Sequence, residues 1–182
     1  MKGAALFVLV LAFAGTAAAQ PAPGGAASGE TVRGAAKVTT GDELLVNEQA
    51  VTLYGIDAPE PGQVCRTKRG REFDCGAGAK TVLERIVGGG EVVCEIVGRH
   101  RQGKVIGRCR VNGQDVGALM VAVGYAFAYR SIASAYAAVE DRAQRHKRGL
   151  WAGRVEMPWN FRDRRVADPS APPGPPNGPP AG

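Results

Sequence analysis

Two β-type runs, 91–97 (EVVCEIV) and 105–111 (VIGRCRV), flank a short polar turn, and each carries one cysteine near its middle. Runs of this kind joined by a short turn are hairpin neighbours. This pair constrains the fold most, because it sets antiparallel β structure in the middle of the chain and brings Cys94 opposite Cys109. The other two cysteines, Cys65 and Cys75, bracket a polar loop (RTKRGREFD) with little apolar content to hold itself. Four cysteines allow three connectivities. The preferred one pairs Cys65 with Cys75 and Cys94 with Cys109, both as structural staples.

Disulfides require an oxidising compartment, and the first residues supply the route. Residues 1–19 hold Lys2, an apolar run from Ala4 to Ala14, and small residues at Ala17 and Ala19. That is the layout of a secretory signal peptide cleaved before Gln20. The run is too short to span a bilayer, which takes about 20 apolar residues. The expected location is the periplasm or the exterior. Residues 20–29 read as a disordered Pro/Gly/Ala linker. Residues 167–182 (ADPSAPPGPPNGPPAG) read as a disordered Pro/Gly-rich tail, since neither stretch has apolar side chains to bury. Between them lie a folded domain, 30–153, and a basic C-terminal extension, 154–166.

An apolar fraction of 45% excludes a wholly disordered chain. The absence of Cys-x-x-Cys, with only His100 and His146 as histidines, gives no support to haem or iron–sulfur binding of the usual spacing. The formal charge is +6, and the segment Asp141–Arg165 holds eight Lys/Arg against three acids. A local basic patch suits a polyanion such as nucleic acid, although a solvated helix face with a basic end accounts for the charge equally simply.

Strands are expected over 31–39 and 44–56, with a turn near Asn47, and again around 92–97 and 105–111, followed by a turn at Asn112-Gly113. Residues 76–87 place Ala79, Val82, Leu83, Ile86 and Val87 on one helical stripe, ended by Gly88. Shorter helices are expected over 115–123 and over 134–148, the latter closed by Gly149. This order is α+β: a small β-barrel with helices attached. Met157-Pro158-Trp159 reads as a stretch folding back on the domain with Trp159 as anchor.

The chemistry concentrates in Leu53-Tyr54-Gly55-Ile56-Asp57-Ala58-Pro59-Glu60. An apolar strand ends in Asp57, and Glu60 follows three residues later; Asp42 sits on an earlier Gly turn. Clustered carboxylates repel one another unless a cation joins them, and hard oxygen donors suit calcium. Taken singly, Asp42 and Asp57 read as turn caps.

Together with the Gly103-Lys104-Val105-Ile106-Gly107-Arg108 hairpin and the closing Arg148-Gly149-Leu150-Trp151, these strings resemble the thermonuclease (staphylococcal nuclease-like) family in order and spacing. The resemblance implies an OB-type five-stranded β-barrel with three helices, a fold able to carry oligonucleotides on one face. It also implies calcium-dependent hydrolysis of nucleic-acid phosphodiesters. Carried over by position, Asp42 and Asp57 fall on metal ligands, Ala58 contributes its backbone carbonyl, and Glu60 falls on the general base. Apart from the resemblance, Tyr125, Phe127 and Tyr129 alternate in an apolar run that reads mostly as core, with Tyr129 stacking a base if it faces the site, and Arg101, close to Lys104, is a candidate substrate contact.

The chain departs from the family at both catalytic arginines. Thr52 stands where one is expected and Lys104 where the other is, while Gln102 replaces a turn tyrosine and His100 a turn aspartate. Lysine keeps the charge but loses the planar fork, and threonine keeps neither. In phosphoryl transfer one arginine is worth about 10³–10⁵ in rate, so weakened hydrolysis is expected unless Arg101, Arg66, Lys68, Arg69 or Arg71 substitutes. Three functions follow: a monomeric, exported nuclease of reduced activity; a non-catalytic nuclease-fold module that binds nucleic acid or another polyanion; or a structural envelope domain whose acidic site is a relic. DNA and RNA are not distinguished.

Overall fold

The computed structural model describes residues 29–100 and 104–170. The expected leader, nearly all of the 20–29 linker, Arg101, Gln102 and the tail past 170 lie outside those residues.

Strands β1 (Thr31–Val38), β2 (Glu43–Val46) and β3 (Gln49–Leu53) form an antiparallel meander. Asn47 and Glu48 turn the β2–β3 hairpin with both residues at positive φ, the geometry that matches hairpin twist. The two-residue strand β4 (Ile56–Asp57) follows, and then a small hairpin of β5 (Val64–Arg66) and β6 (Glu72–Asp74). Helix α1 (Cys75–Val87) starts where the Asp74 carboxylate accepts from the Ala77 N–H at 2.8 Å, and it stops at Gly88 in the left-handed conformation. It buries Ala79, Leu83 and Val87 on the expected stripe.

Strands β7 (Glu91–Arg99) and β8 (Val105–Val111) are antiparallel, with Cys94 directly opposite Cys109. The short β9 (Gln114–Asp115) follows through the Asn112-Gly113 turn. The sheet runs β3-β2-β1-β7-β8-β9, and a parallel pairing of β3 with β8 closes it into a five-stranded barrel. Alternating inward residues fill it, with Leu44, Val46, Val51, Leu53, Val92, Val105 and Val111 all buried. This is the expected OB-type α+β architecture.

Helix α2 (Val116–Ala122), capped by Asp115, and helix α3 (Ala137–Arg145) pack outside the barrel beside β10 (Phe127–Ala128), which pairs with β4. A 3₁₀ turn at Ser134–Tyr136 precedes α3. The α3 terminus differs from expectation. Lys147 is the left-handed residue that closes the helix, with Lys147 N–H donating to Gln144 O and Arg148 N–H to Ala143 O, a Schellman closure; Gly149, also at positive φ, lies beyond it. Gly149 instead opens a 3₁₀ turn, Gly149–Ala152.

The helix count is also corrected. A fourth helix, α4 (Pro158–Ala167), forms in the basic extension. Proline at its first position lacks only an N–H that no helix would use. Trp159 packs against a second, smaller core of Cys65, Cys75, Phe127, Leu150 and Val155, and Phe161 is buried beneath Arg164. The chain reaches α4 through a reciprocal backbone pair between Arg66 and Arg154.

Both disulfides have the expected partners, Cys65–Cys75 and Cys94–Cys109, spanning 10 and 15 residues. On the chain-entropy model each contributes about 3 kcal/mol. Reduction with dithiothreitol is therefore expected to lower the urea midpoint sharply, and an unchanged midpoint would mean that neither loop is constrained in the unfolded chain.

Candidate functional site

The three acids singled out from sequence meet in a cleft of about 700 Å³ at one end of the barrel. Asp42 leaves the β1–β2 turn, where the Leu53 N–H donates to its carbonyl at 2.8 Å and holds the turn against β3. Its carboxylate accepts from the Thr40 hydroxyl at 2.8 Å and from the Ala58 N–H at 3.3 Å. Gly41 lets this turn approach so closely: a Cβ there would lie 2.7 Å from the Cβ atoms of Ala58 and Ala79.

Asp57 ends β4 and is buried. Glu60 is set by a compact loop. Its N–H donates to Gln63 Oε1 at 3.0 Å, while Gln63 N–H donates back to the Glu60 carbonyl at 2.9 Å. Gln63 is fully buried, and its Nε2 donates to the Glu156 carbonyl at 2.7 Å. One amide side chain thus fastens the Glu60 loop to the C-terminal extension. Gly76 completes the support, since a Cβ there would fall 2.0 Å from the Glu60 carbonyl oxygen. The first turn of α1 therefore sits directly on the Glu60 backbone.

Thr52 lies opposite Glu43 in the β2–β3 register and lines the cleft. Lys104 lines it too, with its ammonium 2.5 Å from Glu43 Oε1. Tyr129 faces the same space, while Phe127 of the same alternating run is buried in the small core. Among the described candidates for a substitute cation, Arg66 pairs with Glu72, and Lys68, Arg69 and Arg71 line separate surface hollows. None of these reaches the acids.

The residue that does is Arg162, on α4. Its Nη1 donates to Asp57 Oδ1 at 2.9 Å and to Glu60 Oε1 at 2.5 Å. Its Nη2 donates to Asp57 Oδ2 at 2.7 Å and to the Tyr129 hydroxyl at 3.2 Å. This is a two-pronged arginine–carboxylate pair with a second acid attached. The Asp57 and Glu60 contacts push the guanidinium pKa above its ordinary value. The Tyr129 hydroxyl is also raised, by burial and by the nearby Asp57 charge. Reading the sequence placed Arg162 only in a basic segment; the one signal was its position beside two aromatic anchors.

Among the described residues no cation is paired with Asp42. Burial pushes its carboxyl up to about 6, with the Asp57 and Glu60 charges adding to the rise against the Thr40 and Ala58 hydrogen bonds. Such a carboxyl, facing two others, is a group that a cation would stabilise. The donor set is hard oxygen and suits calcium in kind. Its arrangement is not yet that of a metal site: among the described residues no three His, Cys, Asp or Glu side chains are placed to hold a metal ion, and Arg162 stands across Asp57 and Glu60.

A closed OB-type barrel with an acidic, cation-lined cleft at one end defines a nuclease-like class of domain. Residues 50–153 match the family model described as Staphylococcal nuclease homologue, and the chain belongs to that family. It is 31% identical over 144 residues to the succinoglycan biosynthesis protein ExoI of Rhizobium meliloti (strain 1021), covering 78% of this chain and 75% of that protein. It is 29% identical over 130 residues to the probable staphylococcal-like nuclease CAN2 of Oryza sativa subsp. japonica, covering 69% of this chain and 33% of that one. It is 30% identical over 129 residues to CAN1 of the same plant, covering 69% and 36%. The chain thus spans about a third of the length of these rice proteins. The family match stops short of α4 and Arg162.

Two measurements check this geometry. The Asp42 carboxyl holds its proton to about pH 6 in the fold and to about pH 4 unfolded. Between those values the native state binds more protons, so this group's contribution to stability falls as pH rises. In chelator, Asp42→Asn is expected to be more stable than the parent above pH 6, with the gap closing toward pH 4 in urea unfolding. Second, Gly76→Ala is expected to lose about 1–3 kcal/mol of stability through overpacking and to displace Glu60. A variant with the parental urea midpoint would show that α1 does not press on that loop.

Proposed function

We propose that this chain is an exported, calcium-dependent hydrolase of nucleic-acid phosphodiesters that acts as a monomer in the periplasm or outside the cell. The observation that carries the reading is the convergence of Asp42, Asp57 and Glu60 in one cleft of a staphylococcal nuclease family barrel, with Lys104, Thr52 and Tyr129 around them. Two disulfides fit an oxidising compartment. Among the described residues no helix is long and apolar enough to cross a membrane.

Asp42 and Asp57, with the Ala58 carbonyl, are the groups that would hold calcium, which when bound neutralises charge developing on the phosphoryl oxygens. Glu60 is the general base, orienting a water and accepting its proton as the oxygen attacks phosphorus, while the P–O bond to the departing nucleotide breaks and its oxygen leaves protonated by solvent. The Glu60 backbone is fixed at the cleft, hydrogen-bonded to Gln63 through both its N–H and its carbonyl. Tyr129 lines the cleft and is the ring on which a base would stack beside the scissile phosphate, with Arg101 the second substrate contact proposed from sequence. Lys104 and Thr52 occupy the positions of the family's arginines and supply less to the phosphate. Lys104 is drawn to Glu43, and a threonine hydroxyl carries no charge. Turnover is reduced accordingly.

One observation favours a second reading, a non-catalytic module that binds nucleic acid or another polyanion: Glu60 is held by Arg162, which occupies a base that must be free to act. The deciding experiment is cleavage of a fluorescent single-stranded oligonucleotide by the oxidised mature domain, with Glu60→Gln as control. Cleavage is expected in calcium, abolished by chelator and cut by about 10²-fold or more in the control. Oligonucleotide binding without cleavage would establish the binding module instead.

A further inference from the structure

The guanidinium of Arg162 has an unusual set of partners for a residue on a terminal helix. Both terminal nitrogens make two contacts each: two to Asp57, one to Glu60 and one to Tyr129. Its reach is built in. Trp159 packs against Phe127 and Tyr129 with ring centroids 6.4 and 5.6 Å away. Phe161 is buried. Arg164 pairs with Glu156 through both its Nε and Nη2, and the Glu156 carbonyl accepts from Gln63. The helix is therefore anchored on both sides of Arg162. The Arg162 side chain remains 41% exposed and lines the cleft.

The charges lining this cleft among the described residues are four carboxylates, Asp42, Glu43, Asp57 and Glu60, against Lys104 and Arg162. Lys104 is already on Glu43. A phosphodiester is an anion, and it meets a net negative cleft unless cations enter with it. When a divalent cation takes the carboxylates, it repels the guanidinium and removes the reason for its present position. A guanidinium fork that fits two oxygens of Asp57 fits two oxygens of a phosphate equally well. The exchange needs only side-chain movement, because the helix anchors stay in place.

We propose that Arg162 is an exchangeable guanidinium: in the cation-free site it is the counter-ion of Asp57 and Glu60, and as calcium binds it passes to the phosphodiester. It thereby provides in the cleft the planar cation that Thr52 and Lys104 do not. The inference rests on the hydrolytic reading for its substrate, but it is tested by binding and not by turnover.

Two titrations on the full mature, oxidised chain decide it. Calcium affinity is measured by calorimetry on the parent and on Arg162→Ala. Affinity for a fluorescent single-stranded DNA oligonucleotide in saturating calcium is measured with and without Arg162→Ala in a Glu60→Gln background, so that the strand stays whole. Losing the counter-ion is expected to tighten calcium binding by about tenfold, the low end of what an adjacent opposite charge does to a carboxylate equilibrium. The same change is expected to weaken oligonucleotide binding by about tenfold, the low end for a phosphate-directed charge-assisted pair. The opposite signs are the signature. Tighter binding of both ligands would make Arg162 a latch only, and weaker binding of both would make it structural support; either overturns the proposal. Arg162→Lys guards against a folding defect. It is expected to keep calcium affinity near the parent while still binding the strand less well, because an ammonium has no fork, and parental strand binding by this variant would also overturn the proposal. If the parent binds calcium and strand in this way but cleaves nothing, the hydrolytic reading fails and the exchange stands.

Discussion

The parallel pairing of β3 with β8 is the contact on which the rest of the molecule depends. Val51, Thr52 and Leu53 lie beside Val105, Ile106 and Gly107, and this seam turns an open sheet into a barrel. Gly107 makes it possible: a Cβ there would come within 2.8 Å of Val51 Cγ1. Closure buries Val51, Leu53 and Val105 together. It also gathers chemistry from distant parts of the chain at one rim, because β3 carries Thr52, its partner β2 carries Glu43, and β8 begins just after Lys104. The Leu53 N–H, next in line, ties down the Asp42 turn.

A rim built this way has an electrostatic problem. Asp42, Asp57 and Glu60 face one another, and Asp57 is buried. Buried carboxylates without a counter-charge are costly, by about 3–5 kcal/mol when a partner is removed. The fold meets this cost from its far end. Arg162 lies 105 residues from Asp57 in sequence, delivered by a helix that the small second core and the Gln63–Glu156 hydrogen bond hold in place. Helix α4 is thus part of the site although it lies beyond the segment matched to the family.

Much of the domain was legible because its determinants are local. The Cys94–Cys109 pairing followed from two β runs across one turn, the stripe on α1 from helical spacing, and the Asn112-Gly113 turn from its residue types. The string from Leu53 to Glu60 carried the family. Arg162 was not legible, since the aromatic residues beside it also neighbour Arg164 and Arg165; only the way α4 lies on the domain brings Arg162 to the acids. Gln63 was missed for a similar reason: a buried glutamine is recognised by its partners, and its side chain joins Glu60 to Glu156 from the far end of the domain. The fourth helix was missed because an extension rich in arginine has no apolar stripe of its own, and what ties it to the domain, Trp159 on Phe127 and Tyr129 among the rest, is tertiary. The end of α3 was misassigned to Gly149 because glycine is the usual left-handed residue, while Lys147 takes that conformation to complete a closure that packing demands.

By itself the sequence determined the barrel, its staples and the identity of the acids, because strand alternation, cysteine placement and turn residues act over a few positions and survive without tertiary context. The tertiary structure alone decided how those acids are neutralised. Charge interactions depend on distance through space, and the nearest arginine in the chain is not the nearest in the fold. Arg66 and its neighbours, six or more residues after Glu60, point elsewhere, whereas Arg162 arrives from the C-terminus and lies on the site.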